Sequence, residues 1–432
     1  MTRLSQESDE RSSDAAELAA SEEPALTLVT EPADGIPAIT DTPEALAATI
    51  AALRAGTGPI ALDTERAQGF RYTAKAYLIQ LRRRGSGTHL VDPVAFEDGH
   101  DRADLSALRE AIGDGEWILH AASQDLPCLA EVKLWPTRLF DTELAARLLG
   151  IPRVNLGALM EQALGITLLK EHSADDWSRR PLPEDWLAYA ALDVERLDDL
   201  RDWLIAELRQ AGKLDWAEQE FSHLAAHARD LPTPAVDPWR RTSGLHAVRS
   251  GLGLAGVRAL WQARDELASE ADRGPGRILN DHAISEIAAV VETSKKLPTR
   301  AELRKVRGFT MRSATRHEAI WLEAIGSALQ LPRSALPPRQ LASAGPPQPR
   351  SWQARWPESW ERWSRVRPAL VERAEQLQVP VENLISPDVV KRLLWESSPG
   401  IGAAELEERL ADLGARQWQR ELVAPVILAA WD

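Results

Sequence analysis

The sequence has 432 residues, of which 44% are hydrophobic and 27% are charged. At roughly 100–200 residues per domain, this length predicts two to four folded units. A single cysteine, Cys128, excludes an intramolecular disulfide and a cysteine-rich zinc site, so we expect no disulfide partner and a reducing, cytoplasmic setting. No apolar run approaches the roughly 18 residues of a membrane helix, and Met1–Glu10 is acidic, unlike an export signal. We therefore expect neither membrane insertion nor export.

The charge is unevenly distributed along the chain. A formal net charge of −14 by itself argues against a nucleic-acid partner, because phosphate binding usually leaves a basic footprint. Residues 237–332 nevertheless carry 15 basic and 11 acidic side chains, whereas residues 37–236 carry 21 and 32. We predict a phosphate-binding surface in the basic run of this block, with a solvated helix face as the alternative; its candidates are Lys295, Lys296, Lys305, Arg307 and Arg312.

The first 215 residues predict an acidic tail followed by an α/β domain. Residues 1–36 are rich in Ser, Glu, Asp and Ala and are too polar to offset the entropy of ordering, which predicts disorder. Between residues 37 and 215, short apolar runs alternate with helical periodicity, and the predicted strands are Ile60–Asp63, Tyr77–Arg82, His89–Val91 and Trp117–His120. Three strands without an intervening helix, followed by βα units, predict a mixed sheet with flanking helices.

The remainder of the chain predicts helices only. Prolines crowd residues 333–350, which therefore predict a semi-rigid linker between helical domains at 237–332 and 351–432. The two halves share a pattern, since residues 263–288 and 371–394 each show a helix, a proline-containing loop, a polar cap and another helix. We interpret this pattern as a duplicated helical module.

Two carboxylates lie at the end of the first predicted strand. Side chains alternate along a strand, so Asp63 and Glu65 project to the same face and can share a cation. Asp125 follows another predicted strand, at the start of a helix. It either complements the helix dipole or supplies a third ligand at the carboxyl edge of the sheet.

A second pair lies on a predicted helix. Tyr189 and Asp193 are four residues apart and therefore share one helix face. Four carboxylates on three elements make sense together only around a cation, because unit charges about 5 Å apart cost roughly 3 kcal/mol per pair at an effective dielectric near 20. All-oxygen ligation selects Mg²⁺ or Mn²⁺, and two such ions suit phosphodiester hydrolysis. Tyr189 would then orient the attacking water or help to deprotonate it.

In chain order these motifs read D-x-E, H-A-x-x-x-D and Y-x-x-x-D. This order resembles the DEDD exonucleases with a tyrosine in the third motif, and among them the bacterial ribonuclease D family. Supporting strings are YLIQL at 77–81, LFDTELAARLLG at 139–150 and DWSRRPLPEDWLAYAALDV at 176–194, so the resemblance covers about 55–215. The helical repeats resemble the HRDC modules that follow this nuclease domain.

The resemblance implies a ribonuclease-H-like α/β fold, followed by two HRDC-like modules. It implies a 3′–5′ exoribonuclease acting on RNA 3′ ends, such as tRNA precursors, in which Tyr189 positions water and two Mg²⁺ or Mn²⁺ ions are held by Asp63, Glu65, Asp125 and Asp193. Arg66 departs from the family pattern, in which an aromatic or bulky apolar residue often seats the 3′ end, and Phe70 or Tyr72 are possible substitutes. A non-catalytic RNA-binding scaffold and an exonuclease on single-stranded DNA are the alternatives.

Overall fold

A six-stranded mixed sheet forms the centre of the α/β domain. The structure, a computed structural model, describes residues 26–100, 102–168, 172–231, 233, 235–340, 345–397 and 400–431. The sheet has the order β2-β5-β4-β3-β6-β7, and β1 pairs separately with β8. The strands within the described ranges are β1 Thr27–Val29, β2 Ile39–Thr40, β3 Thr57–Arg66, β4 Ala76–Arg84, β5 Gly87–Val91, β6 Glu116–Leu119, β7 Arg138–Asp141 and β8 Ile166–Leu168.

The middle of the sheet follows from three consecutive apolar strands. β3, β4 and β5 pair antiparallel, whereas β6 joins β3 in parallel, which confirms the predicted mixed sheet. Ile60 and Leu62 of β3 have no exposed surface and anchor the strand in the core. Strand β3 is therefore a rigid support for the carboxylates near its C-terminal end.

Eight α-helices within the described residues belong to this domain. Thr42, Asp141 and Asn155 cap three of them by accepting hydrogen bonds from backbone N–H groups of the first turn. The helices are α1 Pro43–Ala55, α2 Ser106–Ile112, α3 Leu126–Glu131, α4 Thr142–Leu148, α5 Leu156–Leu164, α6 Glu184–Glu195, α7 Leu197–Gln210 and α8 Leu214–Ala226.

The first helical module has its own core. Trp321 and Phe309 are completely buried at its centre, among apolar side chains of the same module. Its helices are α9 Gly251–Glu270, α10 Pro275–Ile278, α11 Asp281–Ser294, α12 Arg300–Leu303, α13 Arg312–Arg316 and α14 Glu318–Leu329.

The second helical module instead shares a core with the α/β domain. The ring of Trp418 stacks on that of Trp216 with centroids 4.9 Å apart, and its indole N–H donates to the buried Glu220 of α8. The second helical module is therefore an extension of the α/β domain's core. Its helices are α15 Trp352–Arg355, α16 Pro357–Gln376, α17 Val381–Leu384, α18 Pro387–Glu396, α19 Ala403–Asp412 and α20 Gln417–Trp431.

Both modules contain the same run of three helices. In each, a 20-residue helix precedes a four-residue helix and then a longer helix whose N-cap is polar, Asn280 in one and Ser386 in the other. This shared order supports the interpretation of the two modules as a repeat.

The structure corrects the predicted end of the N-terminal acidic tail. Residues 1–25 lie outside the described residues, but the predicted disordered segment 1–36 is wrong at its end, because Thr27–Val29 pairs with Ile166–Leu168. The sequence offers no hint of this pairing, since the two strands are three residues long and far apart in the chain. Among the described helices, none is long and apolar enough to cross a membrane.

Candidate active site

Three carboxylates converge where β3 meets α6. Oxygen atoms of Asp63, Glu65 and Asp193 all lie within 4.8 Å of one another. The two-residue period of β3 places the first two on one face, and α6 packs against β3 and carries the third. The sequence prediction that these three acids meet is therefore matched by the geometry.

Burial makes this cluster electrostatically costly. Loss of hydration raises the pKa of Asp63 and of Glu65 well above the ordinary carboxyl value, and the neighbouring carboxylates raise both further. Burial also raises the pKa of Asp193 to about 7. The positive charge near these three carboxylates is therefore too small to offset their burial and mutual repulsion.

Asp125 lies in the same pocket but outside the group of three. Its Oδ1 atom accepts a 2.6 Å hydrogen bond from the hydroxyl of Thr64, the residue between Asp63 and Glu65. Burial raises the pKa of Asp125 to about 6, and the hydrogen bond from Thr64 opposes that rise. Sequence reasoning missed Thr64 because it considered only the face of β3 that carries Asp63 and Glu65, and Thr64 points to the opposite face.

Asp141 fixes the turn that presents Asp125. Its carboxylate accepts backbone hydrogen bonds from Ala121 and Ala122, at 3.1 and 2.9 Å, and it also caps helix α4. Ala121 adopts a left-handed backbone conformation with φ of 59°, which these bonds stabilise. Asp141 thus has a structural role beside the site.

Tyr189 and Asp193 share one face of helix α6, and both line the acidic pocket. Burial and the nearby carboxylates raise the pKa of this phenol well above its ordinary value, so it keeps its proton. The ring lies at centroid distances of 5.9 Å from His172 and 6.4 Å from Trp177. These ring contacts, which sequence reasoning missed, support a fixed position for the phenol.

A pocket of about 470 Å³ joins all five predicted catalytic residues and Arg66. Arg66 donates a 2.7 Å hydrogen bond to the carbonyl of Gln124, and its charge lowers the pKa of Asp63, Glu65 and Asp125. It is the nearby cation that partly offsets the acidic cluster.

Phe70 and Tyr72 are not in this pocket. The guanidinium of Arg277 lies 3.9 Å from the centre of the Phe70 ring, and the Tyr72 hydroxyl donates to Asp265 at 3.0 Å. Both partners belong to the first helical module. Both side chains therefore contact the first helical module instead of lining the acidic pocket, and a role for either of them in seating the 3′ end stays a prediction.

The predicted basic surface is exposed. Side chains of Lys295, Lys296, Lys305, Arg307 and Arg312 all lie on the surface of the first helical module. Two other cations of the same run, Arg300 and Arg304, pair instead with Glu318. Some cations of the basic run are therefore neutralised by ion pairs, whereas the five candidate side chains remain exposed.

The acidic pocket fits hard divalent cations. Carboxylate oxygens are the donors that Mg²⁺ and Mn²⁺ prefer, and a divalent cation would offset both the burial of these carboxylates and their mutual repulsion. The single cysteine, Cys128, is buried and its thiol donates to the carbonyl of Asp125, so it packs beside the site.

Comparison with protein families agrees with this site. Residues 37–209 match the 3′-5′ exonuclease model, residues 254–325 match the HRDC domain model, and residues 345–431 match the 3′ to 5′ exonuclease C-terminal domain model. The chain is thus a 3′–5′ exonuclease with an HRDC domain, and its acidic pocket lies within the exonuclease match.

Individual relatives identify the family of exonucleases to which the chain belongs. Ribonuclease D of Acidiphilium cryptum is 31% identical over 373 residues, covering 84% of this chain and 88% of that protein. A solved protein from Bifidobacterium adolescentis has a TM-score of 0.83 at 38% identity, covering 94% of this chain and 99% of its own. Escherichia coli RNase D, described as an exoribonuclease involved in structured RNA processing, has a TM-score of 0.63 at 25% identity, covering 91% and 98%. The chain belongs to the ribonuclease D family and is a 3′–5′ exoribonuclease.

Proposed function

We propose that the pocket removes nucleotides one at a time from the 3′ ends of structured RNA, including tRNA precursors, in the cytoplasm. The observation that carries the catalytic assignment is the meeting of Asp63, Glu65 and Asp193 oxygens within 4.8 Å. The substrate class is supported by the described role of E. coli RNase D, and the compartment by the single cysteine.

The proposed metal ligands are Asp63, Glu65, Asp125 and Asp193. When bound, two Mg²⁺ or Mn²⁺ ions would supply Lewis acidity for the attacking water and for the leaving oxygen. Asp63 and Glu65 hold their carboxylates on the rigid strand β3, and Thr64 and Asp141 hold Asp125 opposite them. The protein thereby fixes the oxygen donors before substrate arrives.

Tyr189 and Arg66 are proposed to act on the substrate side. The neutral Tyr189 hydroxyl, on the same helix face as Asp193, positions the attacking water by hydrogen bonding. Arg66, the cation of the pocket, is proposed to seat the terminal nucleotide. The exposed Lys295, Lys296, Lys305, Arg307 and Arg312 are proposed to contact RNA phosphates farther from the 3′ end.

The test is digestion of 5′-labelled and 3′-labelled single-stranded RNA with Mg²⁺, with Mn²⁺ and with chelator. The variants are Asp63→Asn and, as a matched control, Glu184→Gln, which alters an exposed acid of α6. Stepwise 3′ shortening by the wild type and the control, abolished by chelator and by Asp63→Asn, is the expected result. RNA that binds but stays intact would favour the scaffold alternative, and preferred shortening of competing single-stranded DNA would favour the DNA alternative.

A further inference from the structure

A second hollow lies on the first helical module beside the nuclease domain. It has a volume of about 700 Å³ and is lined by α9, α10 and α13. We call it the arginine pocket, after its lining residues Arg273, Arg277, Arg312 and Arg316. Glu270 is the only carboxylate among the described lining residues. The hollow is therefore strongly positive although the chain as a whole is acidic.

Three of these arginines have no partner within the described part of the chain. Arg273, Arg312 and Arg316 are exposed, and their side chains form no ion pair or hydrogen bond with a described residue. Other arginines of the module, such as Arg264 and Arg304, are neutralised by Asp281 and Glu318. The pocket thus gathers cations whose charge is available to a ligand.

The fourth arginine links the pocket to the active site. Arg277 donates a 2.9 Å hydrogen bond to the carbonyl of Gly69 and lies over the Phe70 ring, and the N–H of Gly274 donates to the Phe70 carbonyl at 2.8 Å. The loop that carries Gly69 and Phe70 leaves β3 after Arg66, one residue beyond Glu65. Domain docking therefore fixes the pocket relative to the metal ligands.

The chain length sets an upper limit on the separation. Four residues lead from Glu65 to Gly69, which is at most about 14 Å of extended chain. Adding the contact from Gly69 to Arg277 places the edge of the arginine pocket within about 20 Å of the Glu65 backbone. Stacked nucleotides are about 3.4 Å apart, so this distance corresponds to roughly six nucleotides. A strand whose 3′ end lies in the acidic pocket can reach the arginine pocket.

We infer that the arginine pocket binds backbone phosphates of the RNA substrate a few nucleotides upstream of the 3′ end. The inference deepens the proposed function and rests on it. Arginines recognise phosphate oxygens through their fork of N–H donors, and the apolar Leu267, Ile278 and Met311 of the same hollow offer a surface for ribose or base. The site would make longer substrates better substrates, because only they span both pockets.

The kinetic test compares a dinucleotide with a 12-nucleotide RNA. The pocket variant is Arg273→Glu/Arg316→Glu, and the matched control is Arg241→Glu/Arg249→Glu, which reverses two exposed arginines of the same module outside the pocket. The ratio of kcat/KM for the 12-mer to that for the dinucleotide should fall about tenfold in the pocket variant and stay near the wild-type ratio in the control. An unchanged ratio, or an equal fall in both variants, would overturn the inference.

A binding test separates failure of the pocket from failure of the proposed function. Fluorescence anisotropy with the 12-mer in chelator should show weaker binding by the pocket variant and a salt slope reduced by about 1.4, as expected for two lost phosphate contacts on a single strand. If the wild type degrades no RNA, the proposed function fails while this assay still decides the pocket. Pocket-dependent binding of poly-glutamate without pocket-dependent RNA binding would overturn the RNA assignment.

Discussion

The hydroxyl of Thr64 donates a 2.6 Å hydrogen bond to Asp125 from the strand that carries Asp63 and Glu65. This bond joins the two elements that supply the proposed metal ligands. The carboxylate of Asp125 is almost fully buried, so its orientation depends on this partner. Thr64 is a positioning residue, since it acts on the site through Asp125.

Replacing Thr64 by Val should lower activity about 10- to 100-fold, the usual effect of losing a hydrogen-bond partner of a metal ligand. The loss should appear as weaker metal activation, measured by titrating Mg²⁺ and Mn²⁺ at saturating RNA. Thr64→Ser retains the hydroxyl and should restore most of the activity. Equal metal activation curves for the Val and Ser variants would contradict the assigned role.

Asp193→Asn should stabilise the metal-free protein at neutral pH while abolishing activity. Burial raises the folded-state pKa of Asp193 from an ordinary value of 3.8 to about 7. The folded state therefore holds the proton more tightly than the unfolded state, so the stability from this group is complete below about pH 4 and is lost as the pH rises to about 7. Above about pH 7, the uncharged amide of the Asn variant avoids the free-energy cost of burying the ionised Asp193 carboxylate.

Thermal unfolding in chelator measures this effect. At pH 8 the Asp193→Asn variant should unfold about 3 °C or more above the wild type, and the difference should shrink toward pH 4. Saturating Mg²⁺ should stabilise the wild type and not the variant. The Glu184→Gln variant, which changes an exposed residue of the same helix, is the control. An equal rise in the Tm of this control would contradict the electrostatic explanation.

Much of the active site was predictable because strand and helix periods determine it. The spacing of Asp63 and Glu65 places both on one strand face, and that of Tyr189 and Asp193 places both on one helix face, whatever the rest of the chain does. The contact between the strand and the helix required the family resemblance. Thr64 was missed because its hydrogen bond reaches a residue 61 positions away.

Contacts between domains were the part that the sequence did not reveal. Phe70 and Tyr72 looked like candidates for the 3′ end because they follow the first motif, but their partners lie about 200 residues farther along the chain. The C-terminal module likewise looked independent, whereas Trp418 packs on Trp216 of the nuclease domain. Periodicity within one element carries no information about such pairings.

Arg66→Ala should raise the KM for RNA about tenfold, since the change removes the pocket's nearby cation. One lost charge-assisted contact of about 1.4 kcal/mol corresponds to that factor. Arg66→Lys keeps the charge but not the planar fork and should fall between the wild type and the Ala variant. Steady-state kinetics on a short RNA measures the effect, and an unchanged KM in the Ala variant would remove Arg66 from substrate seating.

The first helical module meets the nuclease domain at Gly274, whose N–H donates to the carbonyl of Phe70. A Cβ atom at this position would lie 2.2 Å from the Gly69 carbonyl oxygen, which is backbone and cannot rotate away. Gly274→Ala should therefore separate the first helical module from the loop at Gly69, increase the radius of gyration measured by X-ray scattering, and make that loop more sensitive to protease. Gly276→Ala is the matched control two residues away, because its Cβ would meet nothing within 4 Å. Identical scattering and cleavage for both variants would show that the domains do not depend on this contact.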